Sequence, residues 1–188
     1  MPSWFEVVTG QELGQGDILP SCPVPILPAH YPPDNGDFTV QTPLSFAAQL
    51  ETRDVVILSQ SCDLINRKLS SVIVGPLWPL ECLPELANDD KLKTEPNRMK
   101  SLCDFIREGN SPRFHLLDRC EIEGHTHDYL VVDFWATFTV PFGFLETFAN
   151  YSGARLRLQS PYTEHLSQAF ARFVMRVGLP SPIPSFKK

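Results

Sequence analysis

Val55-Val56-Ile57-Leu58 is an unbroken apolar run, rich in β-branched residues, and it stops at Ser59-Gln60-Ser61-Cys62-Asp63. Four apolar residues without alternation predict a strand buried on both faces, surfacing where the short polar side chains begin. Ser71–Val74 is the expected antiparallel neighbour, across a turn containing Asn66 and Lys68. Trp4–Val8 and Gly16-Asp17-Ile18-Leu19 predict two earlier strands. Pro20–Asn35 holds six prolines and is expected to be a long exposed loop, with Asp37–Gln41 an edge strand after it.

Farther along, the period changes. Met99, Leu102, Cys103 and Ile106 recur at helical spacing inside a charged stretch. They predict a helix over Pro96–Glu108, ended by Gly109, within an insertion spanning 85–109. Arg113–Leu117 and Tyr129–Phe134 predict a hairpin joined by the polar loop Asp118–Asp128. Phe142–Asn150 predicts a short helix, and Arg155-Leu156-Arg157-Leu158 alternates as a strand does. A last helix is expected over 161–178. Ser160 would be its N-cap, Pro161 its first residue, and Leu166, Ala169, Phe170, Phe173 and Val177 its apolar face. Together these elements predict one mainly β domain: a small SH3-like or related β-barrel with a helical insertion and a packed C-terminal helix.

Composition narrows the function classes. The chain has 188 residues, 43% of them hydrophobic, which is enough for one well-buried core. Its net charge of −6 argues against broad, non-specific nucleic-acid binding, leaving nucleic acid only a local basic patch. No run approaches the length of a membrane span, and no basic-then-apolar leader is visible. Five cysteines without such a leader read as reduced thiols in a cytoplasm.

Three groups of residues carry candidate chemistry. Cys62 with Asp63 sits at the strand exit, where a thiolate nucleophile would need a base such as His115, His125, His127 or His165. The competing reading has Ser61 and Asp63 turning the chain while Cys62 packs inward. Cys120, His125 and His127 have zinc-ligand chemistry, yet there is no Cys-x-x-Cys pair, and a polar hairpin loop is the favoured reading; neither metal nor cofactor is expected. Glu164, Gln168, Arg172 and Arg176 recur at four-residue steps opposite the apolar face of the last helix, beside His165 and just after Arg155 and Arg157. Such a set suits a phosphate or an acidic partner surface; intrahelical ion pairing on a solvated face is the alternative. Exposed prolines together with Trp78 and Trp135 also favour protein contacts.

Gly16-Asp17-Ile18 followed by Arg53-Asp54-Val55-Val56-Ile57-Leu58-Ser59 resembles the MazF/PemK family of SH3-like barrels. In that family an early Gly-Asp-Ile opens the barrel and a later Arg-Pro-Val-Val-Val-Leu-Ser strand crosses its centre. The resemblance implies an endoribonuclease with Arg53 as a catalytic residue. Asp54 stands where the family has Pro, and Val72–Trp78 carries no hydroxyl. The expectation is therefore a non-enzymatic, cytoplasmic, prokaryotic interaction or accessory module with another protein as partner, in a toxin–antitoxin or antiviral defence setting. The alternative is a MazF-like endoribonuclease using Arg53, or a hydrolase using Cys62 and Asp63.

Overall fold

The computed structural model describes residues 3–26, 49–83 and 96–175. Within these the chain is mainly β with packed helices. In order it forms β1 (Phe5–Val8), β2 (Ile18–Ile26), β3 (Gln49–Ile57), α1 (Ser61–Ile65), β4 (Ser71–Pro79) and α2 (Pro96–Arg107). Then follow β5 (Phe114–Leu117), β6 (Leu130–Asp133), β7 (Phe138–Pro141), α3 (Phe142–Ser152), β8 (Arg155–Leu158) and α4 (Tyr162–Val174). The expected edge strand at Asp37–Gln41, residues 27–35 of the proline-rich stretch, residues 85–95 of the insertion and Arg176 lie outside the described residues.

The double-sided burial of β3 organises the core. Val55 and Ile57 join Val72, Val74 and Val140 in one cluster, completed by Leu145 and Ala149 of α3. Val56 and Leu58 face the other way, into a cluster with Leu77, Val132, Leu158 and Leu166 of α4. One helix therefore covers each face of the sheet, as alternation along a strand requires. A third cluster seats Ile106 of α2 on Phe114, Leu80 and Val131. β3 and β4 pair antiparallel, with Ile57 opposite Val74. Between them the chain makes the one-and-a-half-turn helix α1 before the expected Asn66–Lys68 turn.

The sheet order is β2-β3-β4-β6-β5, with β7 also on β4, while β1 and β8 form a separate ribbon. β6 and β7 lie along the same edge of β4: Leu77 faces Val132 and Val74 faces Phe138. The surplus residues between them are extruded as the 3-10 turn Phe134–Ala136. Among the described residues β2 and β5 do not pair, so the sheet stays open where a closed barrel was expected. The reason lies at its two ends. Pro23 and Pro25 leave the outer side of β2 short of N–H donors, and α2 packs against β5.

Two other expectations change. Pro20–Ile26 is strand, not exposed loop, because an edge strand needs N–H donors toward its neighbour only at every second residue, and Pro23 and Pro25 occupy alternate positions. The bulge that precedes them, at Ser21 with φ 52°, is held by Asp54, whose Oδ1 accepts from Ser21 N at 2.8 Å. Asp54, the odd residue of the central motif, thus has a structural task. The last helix starts at Tyr162, after a cis Ser160–Pro161 peptide. Tyr162 N and Thr163 N donate to the Gln159 carbonyl at 2.8 and 3.2 Å, so the first helical N–H groups are satisfied without a Ser160 cap. Among the described residues no helix is long and apolar enough to cross a membrane.

Candidate ligand cleft

The strand exit that opens the candidate chemistry is tied up locally. Ser59 Oγ accepts from Ile73 N at 2.9 Å, and Ser61 Oγ accepts from Gln15 N at 3.0 Å. Gln15 Nε2 in turn donates to the Leu58 carbonyl at 2.8 Å. These bonds hold the Gly14–Gly16 turn against the end of β3. Cys62 is exposed on α1, and Leu64 is the residue of that helix that packs inward, which corrects the inward placement of Cys62. Asp63 pairs with Lys68 at 3.3 Å. Arg53 pairs with Glu51 at 2.9 Å and lies 5.7 Å from the Trp78 ring centroid. It precedes the end of β3 by four residues, about 13 Å of strand. No hydrogen bond or ion pair among the described residues joins Arg53 to Cys62 or Asp63.

Arg155 and Arg157 belong to the fold. Asp17 is fully buried, and both arginines close on its carboxylate. Arg155 Nε donates to Asp17 Oδ2 at 2.9 Å, and its Nη1 donates to the Gly10 carbonyl at 2.7 Å. Arg157 Nε donates to Asp17 Oδ1, and Nη2 to Asp17 Oδ2 at 2.9 Å. Gly14 N adds a further donor at 3.1 Å. The hydrogen bonding that Arg157 donates to Asp17 is the main cause raising its guanidinium above its ordinary pKa. The Arg155 side chain has no exposure at all, so it is a structural counter-ion and not part of a surface with α4. The Asp of Gly16-Asp17-Ile18 is the centre of this cluster.

Cys120 and His127 face each other through reciprocal backbone bonds of 3.0 Å. The His127 ring stands edge-on to Phe5, its Nδ1 2.8 Å from the Asp128 carbonyl. His125 Nε2 lies 3.3 Å from the Ala154 carbonyl. Among the described residues no group of three or more His, Cys, Asp or Glu side chains converges as a metal cradle.

Three of the remaining predicted residues converge. His165, Gln168 and Arg172 line a cleft of about 1320 Å³ between α4 and α2. They recur at helical spacing, so all three project from one face of α4 while Leu166 anchors the other. The α2 wall presents Lys100, Cys103, Asp104 and Arg107; the floor is Phe114, His115 and Leu116 of β5. One end is closed by Trp4 and Tyr162, stacked at 3.8 Å with their planes 10° apart. His115 stacks on Phe134, and its Nε2 is buried with no hydrogen-bond partner among the described residues. Burial, and secondarily the nearby His165, push its pKa down to about 4, so the ring is neutral at pH 7. The sequence reading missed Lys100, Arg107 and Arg119 as lining residues. For Lys100 and Arg107 the signal available was their helical spacing with Asp104, which puts the three on one flank of the apolar stripe of α2.

No protein-family model matches the chain, and no curated protein matches it in sequence.

Proposed function

We propose that the chain is a non-catalytic protein-interaction module that receives a segment of its partner between α2 and α4. The cleft's size carries this reading. At about 1320 Å³ it exceeds the range of about 300–1,000 Å³ common for small-molecule sites, and it runs between two helical walls over a strand floor. Three of the residues expected to bind a partner line it, whereas Arg53, Cys62 and Asp63 lie away from it and are engaged separately. The partial match to the MazF/PemK motifs supports placing the partner in a prokaryotic toxin–antitoxin or antiviral defence system, with the module in the cytoplasm.

A photo-crosslinking residue at Gln168, in protein expressed in its native host, tests the reading. The expected result is a defined partner captured through position 168, absent when the crosslinker is moved to Tyr151 on α3, and lost when His165→Trp is added without a change in melting temperature. Equal capture from both positions would overturn it. So would cleavage of RNA by the purified protein that is abolished by Arg53→Ala.

A further inference from the structure

β5 ends the sheet, and its pairing with β6 decides which of its main-chain groups are left over. The register sets Phe114 opposite Asp133 and His115 opposite Val132. Just before them, Phe134 N donates to the Arg113 carbonyl at 2.9 Å, which makes Arg113 and Phe134 a hydrogen-bonded pair. Bonded pairs recur at every second residue of an antiparallel ladder, so His115 and Leu117 turn their main-chain groups to Val132 and Leu130. The far side of β6 agrees. Leu80 N donates to the Tyr129 carbonyl at 3.0 Å, so Tyr129 and Val131 turn toward β4 and leave Leu130 and Val132 to β5. Phe114 and Leu116 therefore turn outward. Phe114 N donates back to the Ser111 carbonyl at 3.0 Å. The Phe114 carbonyl and the Leu116 N–H and carbonyl have no hydrogen-bond partner among the described residues.

Two helices flank this edge. α2 packs on the face that carries Phe114 and Leu116, and α4 on the face that carries Leu117 and, through its stacking on Phe134, His115. Phe114, His115 and Leu116 all line the cleft although they face opposite sides of the sheet, so the cleft runs along the strand edge itself. Charge selects nothing there: among the described residues five lining carboxylates stand beside four cations.

We infer that the cleft takes an extended segment of a partner protein that joins the sheet as a further strand beside β5, through three main-chain hydrogen bonds to Phe114 and Leu116. The inference rests on the docking reading above and adds the mode of recognition. A row of outward N–H and C=O groups at strand spacing is complementary to another extended main chain, whatever its net charge. The added strand would alternate as β5 does. Its residue opposite Leu116 meets the apolar α2 side, and its neighbour opposite His115 meets the buried Nε2 that has no partner among the described residues. A second copy of the chain does not fit. Its own free edge is equally the floor of a cleft, and two floors walled by helices cannot approach to the strand spacing of about 4.8 Å. A nucleic acid offers no matching row of amides.

The probe is a library of random linear peptides displayed on phage, selected against the full chain. The expected outcome is peptides that crosslink to position 168 and alternate apolar with hydrogen-bonding residues. N-methylation along such a peptide should weaken binding at least about tenfold at two positions two residues apart and less than about twofold at the residue between them. Amide hydrogen exchange reads the protein side. In the free protein Leu116 should exchange faster than His115 and Leu117, and the peptide should protect it. Peptides that crosslink to position 168 without that period-two pattern, or without protecting Leu116, overturn strand addition and leave docking in the cleft standing. Leu116 protection that rises with protein concentration and needs no peptide would give the edge to a second copy and overturn strand addition by a partner. Peptides that bind away from position 168, no enrichment at all, or a single-stranded RNA that occupies the cleft and displaces the peptides would overturn both readings.

Discussion

Asp17 with Arg155 and Arg157 forms a closed polar cluster, whereas Lys100, Arg119 and Arg172 stand open along the α2–α4 cleft. The two regions use the same side-chain chemistry and lie close in the sequence of β8 and α4. What separates them is desolvation. Taking the Asp17 carboxylate and Arg155 out of water costs several kcal/mol per ion, so every donor and acceptor must be met inside the protein. The geometry meets that demand with carbonyls of Gly10 and Glu12 and the N–H of Gly14. The exposed cations carry no such constraint and contribute little to folding. Charge at the buried cluster holds the N-terminal turn against β8; the cations Lys100, Arg119 and Arg172 of the cleft face solvent.

The largest expected effect follows from opening the closed cluster. Asp17→Asn keeps the shape and leaves Arg155 buried without its counter-charge. A loss of about 3–5 kcal/mol is expected, because breaking a buried pair strands the other ion. Urea unfolding of the variant measures it. A loss below about 1 kcal/mol would mean that the cluster is solvated in solution and that the contrast with the cleft is not real.

The seating of α4, which forms one wall of the cleft, comes next. Leu166 is fully buried between Phe134 and the strands of its cluster. Leu166→Ala should cost about 2–5 kcal/mol through lost burial and a residual cavity. Because α4 carries His165, Gln168 and Arg172, the same variant should weaken partner binding even where most molecules remain folded. An unchanged denaturation midpoint would place α4 off the sheet and dissolve the cleft.

A third effect is smaller and depends on pH. His115 is held at a pKa of about 4 against an ordinary 6.5, so the unfolded chain binds its proton more readily than the folded one does. The stability due to neutral His115 is fully present above pH 6.5. It falls as the pH drops toward 4, with a slope of at most about 1.4 kcal/mol per pH unit, and changes no further below that. His115→Phe removes this dependence. It should be nearly neutral at pH 7, since Nε2 has no partner to lose among the described residues. Denaturation of both proteins from pH 7.5 to 4 gives the comparison as a difference, in which the titration of carboxylates cancels. Parallel curves would mean that the ring is hydrated and that the cleft floor is wet.

Much of the fold is legible in the residues. The Val55–Leu58 run declares its double-sided burial, and the hairpin, α2, α3 and β8 follow from local period and glycine punctuation, as at Gly109 with φ 76°. β2 is hidden because prolines signal loop locally; only its place at the sheet edge, fixed by pairing with β3, makes them tolerable. The Asp17 cluster is hidden for a related reason. Its members come together through the β1–β8 ribbon and the Asp17–Arg157 bridge, both long-range pairings that no local pattern records. Helical spacing put Glu164, Gln168 and Arg172 on one stripe with His165 beside it, because helix faces are a local property; of these His165, Gln168 and Arg172 line the cleft and Glu164 does not. Adding Arg155 and Arg157 to them failed because proximity in sequence says nothing about which side of a sheet a strand residue meets.

The smallest expected change in stability comes from the same substitution made in both regions, and it sharpens the comparison most. Arg172→Glu places a new carboxylate on an exposed site with no ion-pair partner among the described residues, and should move stability by no more than about 0.5 kcal/mol. Arg155→Glu sets two carboxylates against each other in a buried site and should leave little folded protein under native conditions. Circular dichroism melts of the two variants, prepared side by side, read the contrast directly. If Arg172→Glu also loses several kcal/mol, the arginine is serving the fold, and the cleft wall is a second structural cluster. If it melts with wild type while capture of the partner through position 168 is lost, then identical charge reversals have separated the cation that holds the chain together from the one that serves the docking proposed for the cleft.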